Sequence, residues 1–555
     1  MRRTRAEEET GSREVASLRW GAVVVAVAAW TASPALSQAR LFPDLAGIYA
    51  GDRCGSSSAC LGDVTGDGVA DIAVGSPTAS PGGLGSAGQV LVFSGADGTF
   101  VYAVDGTTAG DGLGSSLAPI GELDGDTTPD FLAGAPDAAP AGAASGRIYL
   151  VSGVGGSILR ILDGTQPGGR LGESLAGLDD INADSVPDLV SGAPGFDFGG
   201  NSAAGAVFAF SGADGDILYS IGGAASLDNC GRSVAVVADV DSDGFRDFLA
   251  GAPGYDAGSL SGTGLMLVCS GLTGAEIMRF EGPNEGDTVG TAVAAVGDVN
   301  EDTFEDYVAG AQGASTGSYL YNGSALLISG SHMSVIWRFD GEGHFHGLGK
   351  SAAAADDANA DGIPDVLAGA PDSRAGGLSG QGSAYLLSGS DGSLIYRIDG
   401  PVAGAGLGAS LTGLGDLDGD GAPEYGIGAP LYLEGACQVR RSQIPAFAFE
   451  GTGVIGSPLS LTLLSNALHE YIFVYDTDPG PTDTPLGRFF IGFSPYFGFI
   501  AGLFLDSAGH SVVTSSIPDD PALIGITLYG QCLVLTPLSF NGAFLLSNGD
   551  GITFQ

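Results

Sequence analysis

Short apolar runs recur along residues 41–444 in groups of four, set apart by Gly, Pro, Asp and Ser. One group reads Ser233–Ala238, Asp247–Pro253, Gly264–Gly271 and Glu276–Gly282. Runs this short, bounded by turn formers and rich in Val, Ile, Leu and Phe, predict β-strands. Turns such as Ser211–Gly215 and Ser388–Gly392 fall between the third and fourth runs and fit tight hairpins.

An acidic nonapeptide fixes the period. Its copies are Asp63–Asp71, Glu122–Asp130, Asp180–Asp188, Asp239–Asp247, Asp298–Asp306, Asp357–Asp365 and Asp416–Glu424, at steps of 59 residues with a single step of 58. A register held that strictly marks one unit copied without insertions. Seven units of four antiparallel strands predict an all-β fold, a seven-bladed β-propeller with four-stranded blades. A solenoid would need distinct capping repeats, and none is visible. The seventh unit has a degenerate third run and no clear fourth. One period before the outer run that starts at Phe100 lies Leu41–Gly47. The N-terminal strand is therefore expected to close blade 7 by pairing near Cys437–Gln443, with Phe447–Gly453 as the competing outer strand.

Composition changes the picture in two places. The 96 Gly and 27 Pro with only 15% charged residues fit dense turns and exclude coiled coils. A formal charge of −44 makes nucleic acid and anionic membrane surfaces poor partners. Residues 1–39 read as an export signal: Arg2, Arg3, Arg5, Arg13 and Arg19 precede the apolar run Trp20–Trp30 and the small residues of Ala35–Ala39. A secreted or cell-surface protein is expected, with no integral membrane segment in the mature chain. Cys54 and Cys230 fall in a column otherwise held by Leu or Val, and Cys269 in one held by Phe, Val, Ile or Leu. They read as core residues.

Candidate chemistry sits in the nonapeptides. Oxygen-bearing side chains occupy positions 1, 3, 5 and 9: Asp63, Thr65, Asp67 and Asp71; Glu122, Asp124, Asp126 and Asp130; Asp180, Asn182, Asp184 and Asp188; Asp239, Asp241, Asp243 and Asp247; Asp298, Asn300, Asp302 and Asp306; Asp357, Asn359, Asp361 and Asp365; Asp416, Asp418, Asp420 and Glu424. Calcium wants six to eight oxygens, and a tight loop with alternate residues turned inward supplies them, with a main-chain carbonyl at position 7. Position 12 holds Val, Ala, Ser or Ile, so these are not EF-hands. Up to seven calcium ions are expected, bound less well in copies where Thr127, Ser185 and Thr303 stand at a position that favours Gly.

The order Leu-Gly, then the Asp-rich nonapeptide, then Gly-Ala-Pro resembles the FG-GAP repeat of the integrin α-subunit propeller over about residues 41–444. The Phe of the repeat's name is Leu or Cys here. The resemblance implies calcium in the loops between first and second strands and ligand binding on the opposite face. Candidates on that face are Phe196, Phe198, Tyr255, Tyr319, Tyr321, His344, His346 and Arg374. His344 and His346 are also spaced to share a metal, against the plainer reading of two loop histidines.

Residues 445–555 leave the register and read as a small β-sandwich. The Gly-x-Ser-x-Gly match at Gly313–Gly317 lies in a Gly/Ser-rich loop without the strand-to-helix turn of a nucleophile elbow. The expected function is a calcium-binding adhesion or recognition module for an extracellular protein or glycan, not an enzyme. A polysaccharide-acting propeller and a structural surface-layer component are the alternatives.

Overall fold

The computed structural model describes residues 40–441 apart from 50, 433 and 434, and beyond them the backbone of strands between 446 and 553. The expected export signal lies outside the described residues. Seven four-stranded antiparallel sheets form a β-propeller. Blades 1 to 6 take up residues 57–105, 116–163, 174–222, 233–281, 289–340 and 351–399 in sequence order. Blade 7 combines Leu411–Gly415, Glu424–Ala429 and Ala436–Arg441 with Leu45–Ala46. The first strand of each blade packs against that of the next, and that of blade 7 against that of blade 1.

Burial follows each strand's place in its blade. The second and third strands, such as Asp71–Ser76 and Gln89–Phe93, are buried at nearly every position because neighbouring blades cover both faces. This is why they read as continuous apolar runs rather than alternating ones. Fourth strands such as Phe100–Asp105 form the outer edge and stay largely exposed.

Two side-chain columns tie blade to blade. Near the start of the first strand, Ser57, Ser116, Ser174, Ser233, Ser351 and Ser410 each donate a hydroxyl to a glycine carbonyl of the following blade, at 2.7 to 3.0 Å. From the fourth strand, Tyr102, Tyr219 and Trp337 donate to the carbonyls of Gly153, Gly271 and Gly389 in the next blade's outer hairpin.

The ring closes as expected, through a shorter strand. Leu45 pairs with Cys437 and Ala46 with Ala436, with an isolated bridge between Arg40 and Arg440. Between them Pro43 cannot donate to the ladder, and the backbone bends. Phe42 covers Gly98 as Tyr102 covers Gly156, so the closing segment repeats the packing of the other outer strands. The third run of blade 7, degenerate in sequence, is a regular six-residue strand. The competing outer strand is excluded, since Ala446–Gly451 pairs with Pro458–Leu464 instead.

Beyond the ring, Pro458–Leu464 also pairs with His510–Ser516. In a second antiparallel sheet, Glu470–Asp476 pairs with both Gly498–Phe504 and Thr527–Leu535. Five cysteines among the described residues are free, and four of them, Cys54, Cys230, Cys269 and Cys437, are buried in the core.

Candidate metal centres and the opposite face

Each acidic nonapeptide forms the connection from first to second strand, so all seven lie on one face of the disc. Side-chain carboxylates shape the loop through backbone N–H groups. In the first copy the position-1 residue Asp63 accepts from Gly66, Asp67 and Gly68 at 2.6 to 3.0 Å. Asp67 accepts from Val69 at 2.9 Å. Asp71 accepts from Val64 and Thr65 with one oxygen and from Gly95 of the outer hairpin with the other. The same pattern recurs around Asp247, which takes Val240 and Gly271. Position 9 thus anchors both the loop and the hairpin of its own blade.

This curvature needs left-handed backbone at positions 4 and 6. Gly66 and Gly68 supply it freely, but Thr127, Ser185 and Thr303 hold φ of 74°, 73° and 74° at position 6. The N–H groups of Ser185 and Thr303 bond Asp180 and Asp298 at 2.7 and 2.8 Å. The carboxylate bond offsets a conformation that a side chain disfavours by about 1 kcal/mol or more.

Three copies bring carboxylate oxygens together. In Glu122, Asp124 and Asp130, in Asp239, Asp241 and Asp247, and in Asp416, Asp418 and Glu424, one oxygen from each residue lies within 4.8 Å of the others. Position 5 stands outside these triads; in the fourth copy it turns to the outer hairpin, where Ser270 donates to Asp243 at 3.4 Å. Thr65, Asn182, Asn300 and Asn359 replace a carboxylate at position 3 in the other four copies. Asn359 turns its amide toward Asp361 and Asp365 at 3.0 and 3.3 Å.

Burial without a counter-charge shows in the acids. It pushes Asp130, Asp188 and Asp365 up to about 6 and Glu424 up to about 8, against backbone hydrogen bonds that lower them. One buried oxygen of Glu424, Oε1, has no hydrogen-bond partner among the described residues. Hard oxygen donors in a tight loop, with an orphaned buried carboxylate oxygen, fit a divalent cation. The seventh copy carries a complication that its sequence did not disclose: Arg441 reaches Asp418 at 2.5 Å. A guanidinium there competes with a metal for that carboxylate, so the second and fourth copies are the cleaner centres.

The opposite face consists of the second-to-third connections and the links between blades, and it divides the eight candidates. Phe196 packs edge-on against Phe208 at 5.1 Å and belongs to the core between blades 2 and 3. Phe198 covers Gly222, and Tyr255 donates to Glu281 at 3.1 Å, so both are half-buried. His346 is buried, with Nδ1 3.4 Å from the Ser373 hydroxyl. His344 is exposed and accepts the Leu320 N–H through Nδ1 at 3.1 Å. The two histidines therefore serve different partners rather than one metal. Tyr319, Tyr321 and Arg374 are exposed as expected. Sequence reading missed Phe345, 56% exposed and stacked on Tyr321 at 5.8 Å. Its place between two histidines was the available signal.

The two faces differ in kind among the described residues. Tyr49, Leu84, Leu227, Leu260, Tyr321, Phe345 and Leu431 are exposed on the face away from the acid loops, whereas the acid-loop face exposes Phe304, Val154 and Leu272.

Comparison with known proteins agrees with this architecture. The FG-GAP repeat family matches residues 56–93, 171–210, 231–264 and 348–387. Integrin alpha-5 of Xenopus laevis is 30% identical over 217 residues, covering 36% of this chain and 20% of that protein. Integrin alpha-V of Gallus gallus is 28% identical over 219 residues, covering 37% and 20%. Integrin alpha-IIb of Homo sapiens is 32% identical over 150 residues, covering 25% and 14%. The chain spans a fifth or less of the length of these curated relatives. It carries FG-GAP repeats within a seven-bladed β-propeller and is similar, over about a third of its length, to integrin α-chains.

Proposed function

We propose that this chain is a secreted or cell-surface recognition module that holds calcium in its acid loops and receives an extracellular protein or glycan on the opposite face. The observation that carries this reading is the division of the disc, acid-lined loops on one face and exposed aromatic and aliphatic side chains on the other. Exposed apolar clusters of this kind mark interaction surfaces. Connections borne on a rigid frame are where binding residues concentrate. Likeness to integrin α-chains supports adhesion over catalysis.

In each loop the side chains at positions 1, 3, 5 and 9 and the carbonyl at position 7 would hold the ion. The cation would favour the ionised form of carboxyls whose pKa burial raises. Its role in this reading is structural.

An array of matrix proteins and glycans, probed with the full mature chain with and without calcium, tests the proposal. Binding should be lost in a Tyr319→Ala, Tyr321→Ala, Phe345→Ala triple variant whose calcium-dependent melting is unchanged. Undiminished binding by that variant would overturn the assignment of the face. Turnover of a polysaccharide, lost on changing His344, would replace recognition with catalysis.

A further inference from the structure

The junction between blades 5 and 6 breaks the pattern of the ring. Ala292 stands where the other six blades place the serine that bonds the next blade. His346 occupies the column in which other junctions bury Asp52, Asp111, Asp228 and Asp287. Lys350, four residues on and exposed, is the only lysine in the 555-residue chain.

Aromatic rings cluster at the same junction. Tyr319 meets His344 edge-on at 5.3 Å, and Tyr321 stacks on Phe345 at an interplanar angle of 21°. The two segments are held together by Phe345 N–H donating to the Leu320 carbonyl at 2.9 Å. Tyr321 and Phe345 are each 56% exposed, so both residues keep more than half of their surface open to solvent.

Cations free of carboxylates are few on this molecule. On a chain of net charge −44, most cations among the described residues are consumed by carboxylates: Arg147 by Asp163, Arg246 by Asp179, Arg338 by Asp340 and Arg397 by Asp399 and Glu342. Arg160 is committed to the Ala213 and Asp214 carbonyls. Among the described residues Lys350, Arg374 and, beside Cys54 at the blade 7–1 junction, Arg53 make no ion pair; the first two belong to the blade 5–6 junction, where the Arg374 backbone N–H lies 3.4 Å from His346 Nε2. Lys350, four residues after His346, and Arg374, whose N–H meets His346 Nε2, thus enter the fold at the junction that carries the Tyr321–Phe345 pair, with Asp372 beside Gly347 and Glu342 three residues before Phe345.

We infer that the blade 5–6 junction is a binding site for a carboxylated glycan, the pyranose rings stacking on Tyr321 and Phe345 and the carboxylates meeting Lys350 and Arg374. This deepens the recognition reading and rests on it. A uronic acid carries its stacking C–H face and its carboxylate on one ring, which matches a flat aromatic platform edged by cations. An acidic peptide offers the charge without the flat face, and a neutral glycan the face without the charge.

Titration calorimetry of the full mature chain in calcium buffer tests the site, with galacturonate oligomers, neutral galactose oligomers and an oligoglutamate peptide as probes. The galacturonates should bind and the other two should not. Tyr321→Ala, Phe345→Ala and a Lys350→Glu, Arg374→Glu double variant should each weaken binding about tenfold or more. Val154→Ala, exposed on the far face and outside the acid loops, should leave it unchanged. Absence of galacturonate binding, or binding that none of the Tyr321, Phe345, Lys350 and Arg374 changes weakens, would overturn the inference. Equal binding of oligoglutamate or of neutral oligomers through the same four residues would overturn the ligand class while leaving the recognition reading in place. Silence on the whole protein and glycan array would sink both.

Discussion

The hydroxyl of Ser410 donates to the carbonyl of Gly55 at 3.0 Å, across 355 positions of sequence. It is the sixth of a set of bonds whose other five link blades adjacent in the chain. The seam where the chain's two ends meet is therefore built like an ordinary junction. The N-terminal segment adds Leu45 and Phe42 to the core there, beside Cys54, Cys437 and Val439.

Removing that segment should open the ring. Deletion of residues 40–48 strips the third strand of blade 7 of its outer partner and leaves an exposed edge. The melting temperature should fall far more than for loss of a free tail. Thermal unfolding of the deletion variant at unchanged midpoint would contradict the closure.

The serine column can be tested at its gap. Ala292→Ser should restore a bond toward Gly349 and stabilise by about 1 kcal/mol, whereas Ser233→Ala, which removes the bond to Gly290, should cost about as much. Opposite shifts in denaturation midpoint are the expected readout. Two shifts of the same sign would show that the hydroxyls do not link the blades.

Calcium and loop geometry are separable by choice of position. Asp241 belongs to a carboxylate triad, and one backbone N–H, that of Asp243, bonds it, so Asp241→Ala should abolish most of loop 4's calcium-dependent stabilisation and change little in EGTA. Asp247 ties Val240 and Gly271, so Asp247→Ala should destabilise in both conditions. EGTA itself should lower the wild-type melting temperature by many degrees. A melting curve indifferent to EGTA would remove the metal.

Strain at position 6 offers a stabilising change. Thr303 holds φ of 74°, a backbone region that Gly enters without a side-chain penalty. Thr303→Gly should gain about 0.5–1 kcal/mol, the relief exceeding the added flexibility of the unfolded chain. Measured destabilisation would mean that the threonine side chain contributes contacts beyond its backbone.

His346 carries a pH signature. Burial, helped by Arg397 and Arg374 and opposed by Glu342 and Asp399, holds its imidazole below the ordinary value of 6.5. The unfolded chain then takes up the proton first, so stability falls as pH drops through 6.5 and stops falling below the folded value. Its ring-proton resonance should titrate below the midpoint in the urea-unfolded chain. A midpoint at or above that reference would show the ring to be solvated or paired.

Seven blades, their four strands, the closing segment and the acid loops were all legible in the residues, because each is a local pattern repeated at a fixed step. A short apolar run with turn formers at its ends favours a strand, and Asp at alternate positions among turn formers favours a tight bend. Position alone could not say which loop oxygens meet. That depended on the outer hairpin, whose Ser270 draws Asp243 aside, and on Arg441, which reaches back to Asp418 from the third strand of blade 7. Nor could it sort the opposite face. Phe196 and Tyr321 look alike in sequence, yet one packs on Phe208 in the core while the other lies open against Phe345. Which side a loop residue turns depends on what the neighbouring blade presents to it. That is settled only when blades distant in the chain are brought together, and the repeat determined by itself the frame on which this happens.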